Sequence, residues 1–261
     1  MNIFRAVEFQ AIYVMWLRQM KHFIRSKSRL IASFVQPLLF LVVLGSGFRT
    51  AISSDVIQGD YLAFLAPGVI AMSILFSAMH TGISLIWDRQ FGFLQEVLVA
   101  PVSRFSIVIG RTLGGATTSL IQGFIILIIA IGLGVPISSI PGLFLAILMM
   151  IILSFAAVGF GLALASKMND FQGMPLIMSL IMMPLLFLSS AFFPIAENSG
   201  MPDIVGKLVL LNPLFYMVDG IRGSLTGQNA VFNPMVNLAV MIGICITMLA
   251  IGSYLFSKSE V

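Results

Sequence analysis

Six long apolar runs dominate this sequence of 261 residues and limit what it can fold into. A helix that crosses a bilayer needs roughly 20 consecutive, mostly apolar residues, and each run is close to that length or longer. Charged residues make up only 9% of the chain, whereas soluble domains are about a quarter charged. The sequence therefore predicts an all-α integral membrane protein with one transmembrane domain, 1–261. The six predicted spans are 31–48, 61–87, 105–134, 141–165, 173–193 and 236–256.

The basic residues between these runs indicate the orientation of the chain. Six spans place eleven of the 14 Lys and Arg residues on one side, and only Arg49, Lys207 and Arg222 on the other. Because Lys and Arg are enriched in cytoplasmic loops, both termini are predicted to be cytoplasmic. The net charge of +4 comes from these flanking basic residues, so it does not indicate a protein that binds nucleic acid. Membrane lipids are the expected partners instead.

Residues 1–30 have the pattern of an amphipathic helix at the membrane interface. Apolar side chains recur at three- and four-residue spacing at Tyr13, Trp16, Leu17, Met20, Phe23 and Ile24. Basic side chains form the opposite stripe at Arg18, Lys21, Arg25 and Arg29. Such a helix lies with its apolar face toward acyl chains. The pattern does not distinguish a simple anchor from a helix that also docks a partner.

Ionisable side chains are nearly absent from the six runs. None of the runs contains Asp, Glu or Lys, Arg111 lies near the cytoplasmic end of the third, and His80 is the one titratable candidate at depth. Ion-coupled carriers usually place such groups inside the membrane. A single histidine without a carboxylate is a poor proton relay, so hydrogen-bonded packing competes with a functional role for His80.

Motifs for catalysis are also missing. The sequence contains no H-E-x-x-H, no G-x-S-x-G and no Gly-rich phosphate loop. It therefore predicts a chain that is not an enzyme and holds no metal or cofactor of its own. If such a chain pumps, another protein must supply the energy.

The segment 88–104, between the second and third spans, concentrates charges that the rest of the chain lacks. The charged residues of this segment are Asp88, Arg89, Glu96 and Arg104. Phe91, Leu94 and Leu98 are spaced i, i+3 and i+7 and would form one apolar stripe, and Pro101 would end a helix there. Two interpretations stay open: a short cytoplasmic helix that acts on a partner, or an ordinary charged loop.

The predicted outer loop, 194–230, contains two apolar segments that are too short to cross. Residues 204–211 and 214–221 flank Asn212-Pro213, a pair that favours a turn. This pattern predicts a re-entrant helical hairpin between spans five and six, whose backbone must be shielded by protein. Asp219 and Arg222, spaced i, i+3, are expected to form a surface ion pair.

Two stripes are candidates for lining a transport path. One lies on span two and comprises Ser73, Ser77 and Thr81, with His80 beside them. The other lies on span five and comprises Met174, Met178 and Met182. Small hydroxyls commonly serve helix packing and methionines commonly fill gaps, so packing remains the competing interpretation for both. Gly110 and Gly114 on span three have the spacing of a close helix contact.

Four passages together resemble the permease subunits of type-2 ABC exporters, the family of daunorubicin-type drug, nodulation-factor and polysaccharide exporters. They are YLAFLAPGVIAMSILFSAM (Tyr61–Met79), LQEVLVAPVSR (Leu94–Arg104), LSSAFFPIAE (Leu188–Glu197) and LNPLFYMVDGIRG (Leu211–Gly223). The resemblance covers nearly the whole chain, and the order of the passages fits the six-span layout.

The resemblance implies that segment 88–104 contains a coupling helix that docks in a groove of an ATP-binding subunit. Glu96 matches the family's acidic position and would make a polar contact there, and the N-terminal helix would pack near the same subunit. Two permeases, either two copies or this chain with a homologue, would work with two ATP-binding subunits that hold ATP and Mg. The substrate path would form between the permeases.

These patterns predict the permease subunit of an ATP-driven exporter in a prokaryotic cytoplasmic membrane. The substrate would be amphiphilic, a drug, a lipid or a lipid-linked glycan, moved out of the cytoplasm or the inner leaflet. The alternative is a stand-alone carrier, ion-coupled or passive, that would depend on His80 or an unrecognised site. A third hypothesis is a membrane scaffold that transports nothing.

Overall fold

A computed structural model describes residues 8–47, 57, 59–91, 102–168, 173–194 and 203–258. Within these ranges all the regular secondary structure is helical. The first two helices are α1 (Phe9–Arg25) and α2 (Lys27–Leu39), and α2 continues through a π-helical turn (Phe40–Leu44) into a last turn (Gly45–Gly47). The others are α3 (Tyr61–Gln90), α4 (Arg104–Gly132), α5 (Ile140–Lys167), α6 (Gly173–Phe187), α7 (Asp203–Leu211), α8 (Pro213–Leu225) and α9 (Pro234–Lys258).

Four helices, α3, α4, α5 and α9, are long and apolar enough to cross a membrane. They match predicted spans two, three, four and six to within three residues at each end. The helices at predicted spans one and five, α2 and α6, contain apolar stretches that are shorter, Ser33–Gly47 and Leu176–Phe187. The described residues thus contain four candidate spans, or five if the bent pair α7 and α8 is one span, and the count of six remains a prediction.

The starts of three helices are fixed by side-chain caps. Ser103 accepts a hydrogen bond from the backbone N–H of Ser106 at the start of α4, and Ser139 does the same for Gly142 at the start of α5. Asn212 accepts from the N–H of Leu214 at the start of α8, where Pro213 occupies the first helical position. Each cap satisfies an N–H that has no partner within its own helix, and Pro at that position loses no hydrogen bond.

The segment predicted as a re-entrant hairpin forms two helices that meet at Asn212. The axes of α7 and α8 are bent by 83° at this break. Besides capping α8, Asn212 donates from Nδ2 to the carbonyl oxygen of Leu185 in α6, at 2.7 Å. One side chain therefore holds the bend and attaches it to a neighbouring helix.

The centre of the packing is α3, which is buried along nearly its whole length, whereas α9 is buried along only a small part. Helix α5 packs between α3 and α9, and α4 lies against α3 and α5. Glycines allow the close approach: a Cβ on Gly82 in α3 would lie 2.4 Å from the carbonyl oxygen of Gly161 in α5, and one on Gly252 in α9 would lie 2.5 Å from that of Gly159. Small residues at such contacts are the usual means by which membrane helices pack, because lipid provides little hydrophobic drive.

We expect Gly82→Ala to separate α3 from α5 and to lower stability, because the added methyl meets backbone that cannot rotate away. Overpacking of this kind costs about 1–3 kcal/mol. The matched control is Gly243→Ala in α9, where no atom lies within 4 Å of the added Cβ. The measurement is the thermal midpoint of the purified protein in detergent, and equal midpoints for the two variants would contradict the packing described here.

Candidate functional site

The last turn of α3 carries a buried carboxylate, Asp88, that binds two arginines. Arg18 of α1 donates from Nη1 to Oδ2 at 3.0 Å and from Nη2 to Oδ1 at 2.5 Å. Arg111 of α4 donates from Nη2 to Oδ2. Asp88 is 7% exposed and Arg111 only 1%. A buried charge is tolerated when it is paired and hydrogen-bonded, and here one carboxylate serves two guanidinium groups.

This three-residue cluster, Arg18–Asp88–Arg111, joins three helices where the predicted coupling segment begins. Helices α1, α3 and α4 each contribute one side chain to it. Phe91, three residues further along, is largely exposed, and its ring centroid lies 5.5 Å from that of Trp87. Position 88 is therefore fixed to two other helices, while an apolar ring just beyond it is accessible to a partner.

The other predicted coupling residues are described only in part. Leu94, Glu96, Leu98 and Pro101 lie outside the described residues. Arg89 lies in the last turn of α3, and Arg104 is the first residue of α4. The structure does not describe the side chain of either arginine. The docking role assigned to this segment remains a prediction.

The N-terminal helix α1 packs along the first turns of α4. The close-contact glycines of α4 face it: a Cβ on Gly110 would lie 2.7 Å from Cβ of Met15, and one on Gly114 would lie 2.7 Å from Cβ of Gln19. Trp16 also donates from Nε1 to Oγ1 of Thr117 at 3.2 Å. The predicted small-residue contact therefore exists, and its partner is the amphipathic helix.

Part of the predicted apolar stripe of α1 remains uncovered. Tyr13 and Ile24 are more than half exposed, as is Phe9 one turn before Tyr13. One face of α1 is thus held by protein, and a neighbouring face is available to acyl chains, as expected for a helix at the interface.

The four path candidates on α3 separate into two pairs. Ser77 and His80 line a cavity of about 240 Å³ between α1, α2, α3 and α4. Ser73 is buried and donates to the carbonyl oxygen of Ile70 at 2.8 Å. Thr81 is buried against Gly115 of α4. The first pair therefore faces open space, the second pair is packed against protein, and a transport role for either remains a prediction.

The methionine stripe on α6 is also largely packed. Met178 is 7% exposed and Met182 is 2% exposed, and both belong to the hydrophobic core. The side chain of Met174 lies outside the described residues.

The cavity brings together polar residues that sequence reasoning missed. Gln19, His22, Gln36 and Gln122 line it in addition to the predicted pair. Gln36 and Gln122 are single amides within apolar runs and belong to neither the hydroxyl stripe nor the methionine stripe, so the stripe pattern did not reveal them. A glutamine inside a predicted span was the available signal.

At another end of the helix bundle, Arg222 of α8 is buried and joins three elements. It donates to the carbonyl oxygen of Phe64 at 3.3 Å and to that of Ser190 at 2.7 Å. Its guanidinium carbon lies 3.9 Å from the centroid of the Phe64 ring. The side chain therefore connects α8 to α3 and to the turn after α6.

The expected surface pair of Asp219 with Arg222 is wrong. Both residues are fully buried, and each has its own partners. Asp219 accepts from the backbone N–H groups of Val231 and Phe232, at 2.8 and 3.0 Å, and from Nδ2 of Asn237 at 2.8 Å. An i, i+3 spacing on a helix places two side chains on one face but does not reveal that the chain folds over that face.

Three of the four passages that carry the family resemblance meet around Arg222. The hydroxyl of Tyr61 donates to the carbonyl oxygen of Phe192 at 2.9 Å. A Cβ on Gly68, in the A-P-G stretch, would lie 2.4 Å from the carbonyl oxygen of Ala191. These three passages are far apart in sequence, but their residues pack against one another at one site. The fourth passage, Leu94–Arg104, lies mostly outside the described residues.

Metal ligation has no candidate in the part of the chain that the structure describes. There, no group of three or more His, Cys, Asp or Glu side chains is arranged to hold a metal ion.

We expect Asp88→Asn to destabilise the protein strongly, because it leaves Arg111 as an unpaired buried charge. Removing one partner of a buried pair costs about 3–5 kcal/mol. Arg18→Gln is the matched comparison: its side chain is 32% exposed, and the loss of a partly solvated pair costs about 1 kcal/mol or less. Thermal unfolding in detergent measures both variants. The double variant Asp88→Asn, Arg111→Met should recover part of the loss, and a double variant no better than Asp88→Asn alone would contradict the pairing.

Comparison with known proteins assigns a family to this arrangement. The family model described as ABC-2 type transporter matches residues 10–226. A transport permease named ycf38, from Porphyra purpurea, is 30% identical over 90% of this chain and 83% of its own length. The inner membrane transport permease YadH of Escherichia coli K12 is 26% identical over 85% of each chain, and nodulation protein J of Rhizobium leguminosarum is 27% identical over 82% of this chain and 80% of its own. This chain belongs to the ABC-2 type transporter permease family and is a multi-pass membrane subunit of a transporter.

Proposed function

We propose that this permease is the membrane subunit of an ATP-driven exporter, energised by a separate ATP-binding subunit that docks on segment 88–104. The observation that carries the proposal is the Arg18–Asp88–Arg111 cluster. It ties the first residue of that segment to α1 and α4, and the family implies an ATP-binding partner. A force applied to the segment would then move three helices together.

The geometry of the cluster explains why such a lever would work without chemistry in the permease. Loop residues held only at a flexible end would absorb a displacement by changing their backbone angles. Asp88 cannot move independently, because its two oxygens are held by Arg18 and Arg111. Helix α4 in turn packs against α3 and α5, so the displacement reaches the core of the bundle. ATP and Mg would reside in the partner.

A second permease, a copy of this chain or a homologue, would pack against α2 and α6. Helix α6 has 15 residues and spans about 22 Å, less than the roughly 30 Å hydrocarbon core. Its exposed side chains include Leu176 and Leu180, and those of α2 include Ile31 and Leu39. The ends of these helices adjoin, since the Phe40 and Phe192 rings are 5.4 Å apart. Short helices at this depth need protein around their ends.

The substrate in this proposal is amphiphilic, a drug, a lipid or a lipid-linked glycan, and it would follow a path between the two permeases. Apolar surfaces on α2 and α6, together with few ionisable groups, favour such a molecule over a small ion. The membrane would be a prokaryotic cytoplasmic membrane with both termini on the cytoplasmic side. The whole chain, 1–261, would act as one domain, with an interfacial helix in 1–30, a coupling loop in 88–104 and an outer loop in 194–230.

The first experiment tests the energy source. The wild-type protein and Glu96→Lys are purified from native membranes in mild detergent, and co-purifying ATPase is identified by mass spectrometry. We expect an ATP-binding subunit with the wild type and at least tenfold less of it with Glu96→Lys. Glu197→Lys makes the same charge change in the predicted outer loop and should retain the ATPase.

Two results would count against this proposal. Absence of an ATPase with the wild type, together with substrate movement by the permease alone in liposomes, would support a stand-alone carrier. Equal loss with Glu96→Lys and Glu197→Lys would show that the charge change itself, rather than docking, is responsible.

The second experiment tests the permease interface. The photo-crosslinking residue p-benzoylphenylalanine replaces Leu180 on α6 or, as the control, Ile246 on α9, both of which are exposed and apolar. We expect illumination of membranes to link position 180, and not position 246, to a second permease. Crosslinks to a permease from 246 alone would place the interface on α9 and overturn this arrangement.

A further inference from the structure

The cavity between α1, α2, α3 and α4 has a buried floor and an accessible rim. Its floor includes Thr118 and Gln122, which are 3% and 2% exposed. Its rim includes His22 and Gln36, both of which are exposed. A ligand could therefore enter past α1 and α2 and reach a group that is shielded from solvent.

The lining combines apolar rings with the polar side chains of Gln, Ser, Thr and His. It includes three glutamine amides, the hydroxyls of Ser33, Ser77 and Thr118, and both histidines of the sequence. No Asp, Glu, Lys or Arg is among the lining residues that the structure describes. Polar groups at membrane depth are costly when they have no partner. No carboxylate, lysine or arginine among these residues could pair with a charged ligand, whereas a neutral hydrogen-bonding ligand would be matched.

The hydrogen bonds of Gln122 indicate which kind of ligand group the cavity would bind. Pro37 in α2 has no N–H to offer the carbonyl oxygen of Ser33, four residues earlier. Gln122 fills that vacancy by donating from Nε2 to the Ser33 oxygen at 2.7 Å. This bond fixes the amide, and within the described residues its Oε1 is buried with no partner. The site therefore presents an oriented acceptor for a donor such as a hydroxyl.

Other side chains that line the cavity also present hydrogen-bond acceptors. Ser33 and Thr118 donate their own hydroxyl protons to backbone carbonyls of Leu30 and Gly115, so toward a ligand their oxygens can accept. Several acceptors in a small space suit a ligand with several hydroxyls.

Size and apolar surface narrow the ligand further. A volume of about 240 Å³ is below the range of drug-sized pockets, which begin at about 300 Å³. Phe23 and Phe76 also line the cavity and offer rings to an apolar face. A small neutral ring with many hydroxyls and an apolar face is a monosaccharide.

We propose that this cavity binds a neutral polyhydroxy group of monosaccharide size, as a free sugar or as the headgroup of a glycolipid. The proposal deepens the proposed function by naming a ligand class, and rests on that function only for the idea that the ligand is transported. Binding itself needs no ATPase, so the two proposals can fail separately.

The test measures binding by native mass spectrometry of the full-length permease in detergent. The probes are monoglucosyl diacylglycerol, diacylglycerol, phosphatidylglycerol and glucose. We expect the glucosyl lipid, or glucose as well, to bind, and diacylglycerol and anionic phosphatidylglycerol to bind at least tenfold more weakly. Binding of glucose as tight as that of the glucosyl lipid would assign the site to a free sugar, and preference for the lipid would assign it to a headgroup.

Variants locate the binding site. Gln122→Leu should weaken binding at least tenfold, and Gln36→Leu, at the exposed rim, should weaken it severalfold and decides the matter if Gln122→Leu fails to fold. Gln10→Leu makes the same change at an exposed position of α1 outside the cavity and should leave binding unchanged. No binding of any sugar probe, equal binding of phosphatidylglycerol, or retention of binding in both cavity variants would overturn the proposal.

Discussion

The end of the helix bundle that adjoins segment 88–104 depends on one buried carboxylate. Asp88 neutralises part of the charge of two guanidinium groups that come from helices far apart in sequence. Without it, Arg111 would be an isolated cation inside the protein, a state that is disfavoured by several kcal/mol. Asp88 is also the first residue of segment 88–104. The ion pairs that neutralise the two arginines would therefore also connect this segment mechanically to the helices. A lever attached by a buried ion pair is stiff as long as the pair remains desolvated.

The helices must also pack closely, although lipid provides little hydrophobic driving force for their association. Glycine contacts and Arg222 make this close packing possible. Gly82 and Gly161 let α3 and α5 touch along their backbones. Arg222 then joins α8 to α3 and to the turn after α6 by donating to the carbonyl oxygens of Phe64 and Ser190. Helices α2, α6 and α9 remain lightly covered. The proposed permease interface lies on α2 and α6 because their apolar stretches are also the short ones.

Residue pattern alone predicted much of the fold and less of the site. The four long spans were placed to within a few residues because length and hydropathy decide membrane crossing. The contact at Gly110 and Gly114 was predicted, but its partner, α1, was not. Asp219 and Arg222 were expected at the surface, because helical spacing says nothing about which other segment covers that face. The cavity was missed because its lining comes from four helices, and no pattern within one segment brings Gln36 and Gln122 together.

The sequence by itself determined that this chain is helical and membrane-embedded, that it contains no recognisable catalytic motif, and that its motifs resemble those of its family. These conclusions follow from composition, period and order, which are properties of single segments. Only the tertiary structure decided that Asp88 binds Arg18 and Arg111, that Ser77 and His80 face a cavity while Ser73 and Thr81 do not, and that three distant motifs meet around Arg222. Burial and partnership are set by contacts between segments, and one helical stripe does not record which neighbour it faces.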